Sequence, residues 1–265
     1  MTRAGVGALA GVGEAYDASA SAWTNGPAAA YEVMARVLVS ASPVPVAGAR
    51  VLDLGTGTGV AARAARDRGA AKVTGIDVAP AMIAAGSGWD AVVIADAAAL
   101  PFADRSFDLV VSAFCLGHLP DPVVALAGSR RVAPALVASA FRAGWTHPAK
   151  AIVDAVAGRY GFVVPGWYAR LKSDVEPRVD DPVQLEGLAR AAGYATVDVG
   201  VHEVDVGVRT PSQLTEWRLG MAHLAPFLAD LDAARRGRLV VECREALAQV
   251  PALIVPVVVL TATSA

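Results

Sequence analysis

The chain is predicted to be an α/β protein built on a mostly parallel sheet covered by helices on both faces. Three observations predict this. Short apolar runs bounded by turn residues alternate with segments of helical periodicity along most of the chain. A glycine loop, GTGTG, directly follows one of those apolar runs. The length, 265 residues with 55% hydrophobic and 18% charged, suits one large domain with a sizeable core.

The elements follow in order. PAAAYEVMARVLVSA starts at Pro27, where proline suits a first helical turn, and stops before Pro43. VLDL (51–54) reads as a buried strand, and GVAARAARDRG as a helix closed by Gly69. KVTGIDV is a strand, APAMIAAG a helix, DAVVIA and FDLVVSAF strands, DPVVALAGSRRV a helix and ALVASAF a strand. DPVQLEGLARAAG reads as a helix, YATVDVGVHEVDVGV as a strand, and ALIVPVVVLTATSA as the last strand. Two segments fit this rhythm poorly: 142–181, rich in glycine, proline and aromatics, and 209–250, which reads as the helical pair TPSQLTEWRLGMAHLAPFLADL and AARRGRLVVECREALAQV. Both are expected to cover the strand ends, where parallel sheets bind ligands.

Composition excludes several classes. A net charge of −2 without a basic stripe gives no footprint for nucleic acid. The mean hydropathy of +0.46 is high, but PALIVPVVVL, the most apolar stretch, is interrupted by Pro251 and Pro256 and falls short of the roughly 20 residues of a spanning helix. No membrane partner is expected. The N-terminal segment lacks a long apolar core before a cleavage site, and Cys115 and Cys243 are far apart, so a cytoplasmic chain with reduced thiols and no metal site is expected. Oligomeric state is not readable.

The glycine loop excludes further ligands. A nicotinamide loop needs a third glycine where Val60 stands, and no Gly-Lys-Ser/Thr follows for a P-loop. Asp53, ending the strand beside the loop, repels a pyrophosphate and suits a ligand with an amino group. Asp77 ends the second strand, where a carboxylate can accept both hydroxyls of a ribose. A cationic amino-acid tail with a ribose is S-adenosylmethionine.

VLDLGTGTG, GIDVAPAMI and ADAAALPFADRSFDLVVSAF, in that order, resemble the motifs of class I S-adenosylmethionine-dependent methyltransferases, in particular the small-molecule group of ubiquinone/menaquinone-biosynthesis type. The resemblance covers about residues 14–141 motif by motif, including YDASASAW as an N-terminal cofactor cap. It implies a Rossmann-like doubly wound seven-stranded sheet whose last strand is antiparallel, with helical lid insertions. It divides one domain into a helical cap (1–45), a cofactor-binding core (46–141) and two substrate lids (142–181 and 209–250). It also implies cofactor contacts: Gly55, Thr56 and Gly57 at the methionine part with Asp53 near its amino group, Asp77 at the ribose, Val78 and Met82 at the adenine. Asp96 and the amide of Ala97 would hold the adenine edge, with Phe114 alongside and Tyr16 closing over the sulfonium. Gly59 is either part of this set or a glycine of helix–strand packing. One departure is VAPALVASAF, which shortens the turn the family makes before its fifth strand.

The expected reaction moves a methyl group to an oxygen, nitrogen or carbon of a bulky hydrophobic small molecule, in secondary metabolism. His118, just after the fourth strand, is the candidate base, with His147 and His223 as rivals; His202 reads as a surface residue. Trp145, His147, Trp167, Tyr168, Trp217, Met221 and His223 are the candidate substrate pocket. The alternative is a methyltransferase-fold cyclase or isomerase that keeps the cofactor without methylating.

Overall fold

The computed structural model describes residues 6–265, with side chains from residue 11 onward. Two helices come first, α1 (Val6–Asn25) and α2 (Ala28–Ser40), joined at Gly26 and Pro27. The alternating core follows: β1 (Arg50–Leu54), α3 (Val60–Asp67), β2 (Lys72–Asp77), α4 (Pro80–Ala84), β3 (Ala91–Ile94), β4 (Leu109–Ala113), α5 (Pro122–Val132) and β5 (Ala135–Phe141). Then come α6 (Pro148–Arg159), α7 (Gly166–Arg170), α8 (Pro182–Ala191) and β6 (Thr196–Asp205). The chain finishes with α9 (Pro211–Leu219), α10 (Ala225–Asp230), α11 (Ala233–Ala246) and β7 (Ile254–Thr263).

The seven strands lie in the order β3-β2-β1-β4-β5-β7-β6. Strands β1 to β5 pair in parallel, whereas β7 slots between β5 and β6 and is antiparallel to both, as expected for the last strand. Strand order reverses between β1 and β4, so the crevice at their carboxyl ends is the natural ligand site. The apolar runs are central strands buried on both faces, and two core clusters cover those faces. One gathers α2, α3, α6, α9 and α11 around residues such as Leu38, Val51 and Leu214; the other gathers α5 and α8 around Leu52, Leu126 and Leu185.

Local chemistry explains the helix boundaries. Asp121 and Asp181 each accept two backbone N–H groups at the start of α5 and α8, with proline in the first turn. Thr210 and Gln213 cap α9 reciprocally. The segment 210–231, expected as one helix, is two: α9 ends at Gly220, and α10 begins at Ala225 with Pro226 in its first turn. The break has a packing cause as well. A side chain on Gly220 would meet Pro27 Cδ at 2.5 Å, and one on Gly26 would meet the carbonyl oxygen of Glu216 at 2.3 Å, so α9 rests directly on the α1–α2 corner. Among the described residues no helix is long and apolar enough to cross a membrane, and no cluster of ligating side chains could hold a metal ion.

Candidate active site

The glycine loop is built over Asp53. This carboxylate is buried at the end of β1; its Oδ2 accepts from Thr56 Oγ1 at 2.6 Å and from the Ala62 amide at 2.9 Å, while Oδ1 has no partner. Burial pushes its pKa up to about 6 against those two hydrogen bonds. Asp53 therefore ties the loop to the first turn of α3 and lies beneath the cleft wall. Gly59 is a packing glycine: its φ is 83°, and a Cβ there would sit 1.9 Å from the Ser87 carbonyl oxygen. Gly75, inside β2, leaves room for Thr56, whose Cγ2 would be 2.9 Å from any Cβ at that position.

Above the loop is a cleft enclosing about 970 Å³ of empty space, walled by Gly55, Thr56, Asp77, Val78, Met82, Asp96, Ala97 and Phe114, among others. Asp77 is held by the amides of Gly57 (2.7 Å to Oδ2) and Ala79 (2.9 Å to Oδ1), and each oxygen keeps acceptor capacity toward the cleft. Burial raises its pKa, opposed by those amides. Asp96 lines the cleft and also accepts from the Ala98 amide at 2.8 Å, so it caps its loop and faces the space together.

Helix α1 closes the cleft from above. Asp17 Oδ1 accepts from the Ala81 amide at 2.7 Å, which pins α1 to α4, and the next residue back, Tyr16, reaches into the cleft. Its hydroxyl lies 3.0 Å from His118 Nε2. His118 Nδ1 lies 3.0 Å from the Phe114 carbonyl oxygen; since a carbonyl only accepts, Nδ1 carries the proton and Nε2 accepts from the phenol. Phe114 makes this possible by adopting φ 56°, an uncommon value for an aromatic residue, and so turns the chain off β4 into the short helical turn Leu116–His118. Burial raises the Tyr16 pKa and lowers that of His118, so at neutral pH the phenol is protonated and the imidazole neutral.

Tyr16, Tyr31 and His118 also wall a second chamber of about 1060 Å³, bordered by residues of segments 142–181 and 209–250. Trp145, Trp167, Tyr168, Trp217, Met221 and His223 line it. His223 stacks on Tyr168 at 3.8 Å with planes 4° apart, and burial pushes its pKa down to about 2. His147 does not line this chamber. It is buried as the N-cap of α6, its Nδ1 accepting from the Ala149 amide at 3.3 Å. His202 is exposed on β6. Sequence reading missed Tyr31, Asp17, Lys150 and Arg218. Arg218 is nearly buried and holds Asp154 through two hydrogen bonds of 2.9 and 2.6 Å. An arginine within the apolar face of α9 was the available signal.

Comparison with known proteins agrees with this geometry. Residues 52–134 match the family model described as a methyltransferase domain. That segment holds the glycine loop, Asp53, Asp77 and Asp96, and it lies in a seven-stranded sheet of the order described above. Among individual relatives, it is 39% identical over 128 residues to the malonyl-[acyl-carrier protein] O-methyltransferase of Halorhodospira halophila, covering 46% of this chain and 43% of that one. It is 36% identical over 126 residues to the aklanonic acid methyltransferase DauC of Streptomyces sp. strain C5, covering 44% of this chain and 57% of that one. The match thus spans about half the length of these curated relatives. In fold it resembles an Anabaena variabilis protein described as a methyltransferase of an antibiotic biosynthesis pathway (TM-score 0.60, 13% identity, 88% of this chain and 96% of that one). It also resembles the [4+2]-cyclase SpnF (TM-score 0.52, 21% identity, 88% and 80%).

Proposed function

We propose that this protein methylates an oxygen, nitrogen or carbon atom of a bulky, largely apolar small molecule of secondary metabolism, in the cytoplasm, with S-adenosylmethionine as donor. The observation that carries this reading is the shared wall: Tyr16, Tyr31 and His118 border both the glycine-loop cleft and the aromatic chamber, so donor and acceptor would meet at these side chains. The cleft suits the donor. Asp77 keeps two acceptor oxygens for ribose hydroxyls, Val78, Met82 and Ala97 offer apolar walls, and the unpaired Oδ1 of Asp53 would gain from a cationic amino group nearby. Aklanonic acid, the substrate named for one relative, is consistent with a small-molecule acceptor.

When bound, the donor supplies an electrophilic methyl group on a sulfonium, and the chain's work is alignment, exclusion of water and removal of a proton. Tyr16 and His118 suit the last task. An acceptor O–H facing the Tyr16 oxygen would pass its proton there while the phenolic proton moves to Nε2 of His118. The resulting imidazolium is favoured by Glu176 and Asp77 nearby.

Calorimetric titration with S-adenosylhomocysteine tests the donor site, and absence of binding ends this reading. Product mass after incubation with S-adenosylmethionine and candidate acceptors tests the reaction. A gain of one methyl supports transfer, whereas conversion at constant mass supports the cyclase or isomerase alternative.

A further inference from the structure

The chamber that would hold the acceptor is not uniformly apolar. Four cations, Arg142, Lys150, Lys172 and Arg218, line it against two carboxylates, Glu176 and Asp180. Lys172 pairs with Glu176, and Arg218 is held by Asp154 from behind. Among the described residues neither Arg142 nor Lys150 has a carboxylate partner, and it is Lys150 that sits against the aromatic wall. Its Nζ lies 3.6 Å from the centroid of the Trp145 ring, a contact that occupies one side of the ammonium and leaves donors free. Lys150 also stands in the first turn of α6, where the helix dipole adds positive potential and no acid offsets it.

The aromatic rings lead to this lysine from the cofactor cleft. Phe114, on the cleft wall, stacks on Phe141 at 4.5 Å; Phe141 stacks on Trp145 at 5.6 Å; Lys150 lies over Trp145. A planar ligand lying along these rings would bring one atom toward Tyr16 and His118 and its other end to Lys150.

Resting on the methyltransferase reading above, we infer that Lys150 is the anion-recognition residue of the acceptor chamber, and that the acceptor is a planar aromatic compound carrying a carboxylate or enolate. A half-buried lysine without a counter-ion is costly, and a ligand anion would remove that cost. Burial, then the nearby charges of Lys172 and Arg218, bring the Lys150 pKa down to about 7, and a bound anion would return it to full protonation. Asp180, whose own pKa is raised by burial and by Glu176, offers that lysine no ion pair. The two acid–base pairs fix Lys172 and Arg218 in place, which leaves Arg142 and Lys150 unpaired among the described residues, and of these Lys150 is the one held against the ring path from the cleft.

The test is calorimetry of 2-naphthoate against its neutral isostere 2-naphthamide, with S-adenosylhomocysteine saturating. The wild-type protein should bind the acid roughly ten- to a hundredfold tighter than the amide. Lys150→Met should abolish that preference, and Lys150→Arg should keep most of it. Unaltered near-ultraviolet circular dichroism and S-adenosylhomocysteine affinity in both variants establish that they fold. Equal affinities for acid and amide, including no binding of either, overturn the anion site, as does a preference that survives Lys150→Met. Loss of S-adenosylhomocysteine binding by the wild-type protein would instead strike the methyltransferase reading, so the two failures are separate.

Discussion

Tyr16 donates a hydrogen bond from its phenol to Nε2 of His118 across 3.0 Å, joining a residue of the N-terminal helix to one 102 positions later, in the turn after β4. The bond ties α1 to the sheet at the boundary of the two cavities. If it is also the proton path, removing either member should slow turnover without greatly changing donor affinity. His118→Ala is expected to lower turnover by about a hundredfold or more, and Tyr16→Phe comparably. Steady-state rates together with S-adenosylhomocysteine affinity check this. Near-normal turnover in His118→Ala would leave the pair with a structural role alone.

Such a pair is invisible to sequence reading because nothing local relates residues 16 and 118. What was legible is local. The strand–loop–helix run around VLDLGTGTG and the Asp–Pro helix starts follow from rules that act within a few residues, as does Asp77 at a strand end. The burial of Asp53 was not legible, because its partner Ala62 is set by how α3 docks on the loop. Nor was the break at Gly220, which reflects the close approach of α9 to Gly26 and Pro27 as much as it does Pro226. Lys150 reads as an ordinary surface lysine until Trp145 and the chamber are placed around it.

Asp77 is held by two backbone amides, so its carboxylate is already positioned before any ligand arrives. Asp77→Ala removes both carboxylate oxygens proposed to accept the ribose hydroxyls and leaves the Gly57 amide without its partner. Donor binding should weaken by about 1 to 3 kcal/mol. Titration with S-adenosylhomocysteine measures this, and an unchanged affinity would dismiss the ribose contact.

Gly59 illustrates a different constraint. Its φ of 83° is poorly tolerated by other residues, and a methyl group there would be 1.9 Å from the Ser87 carbonyl oxygen. The oxygen is backbone and cannot swing aside. Gly59→Ala is expected to destabilise the fold by about 2 kcal/mol or more through strain and overpacking. Urea unfolding checks the value. Because α3 must shift to relieve the contact, donor affinity should fall as well, which separates this variant from one that merely loosens the loop.

The buried histidines set the response to acid. His223, stacked on Tyr168, has its pKa depressed to about 2, mainly by burial and then by Arg218, Lys172 and Lys150. The unfolded chain takes up a proton near pH 6.5, whereas the folded protein resists until far lower. Between those values the unfolded state holds more protons, so stability is full above about pH 6.5 and falls as pH drops. One such group contributes a slope of up to about 1.4 kcal/mol per pH unit. Asp53 acts in the opposite sense: its pKa, raised to about 6, gives a stabilising increment as pH falls from there toward the ordinary carboxylate range. Between about pH 6 and the ordinary carboxylate range the two slopes are equal and opposite, so the loss due to His223 emerges above and below that interval. His223→Phe keeps an aromatic ring against Tyr168 and removes the titrating group, so its unfolding free energy relative to the wild type should rise as pH falls from about 6 to 4, by up to about 1.4 kcal/mol per pH unit. Urea unfolding of both proteins across that interval measures the difference, and parallel pH profiles would show that His223 is not the group responsible.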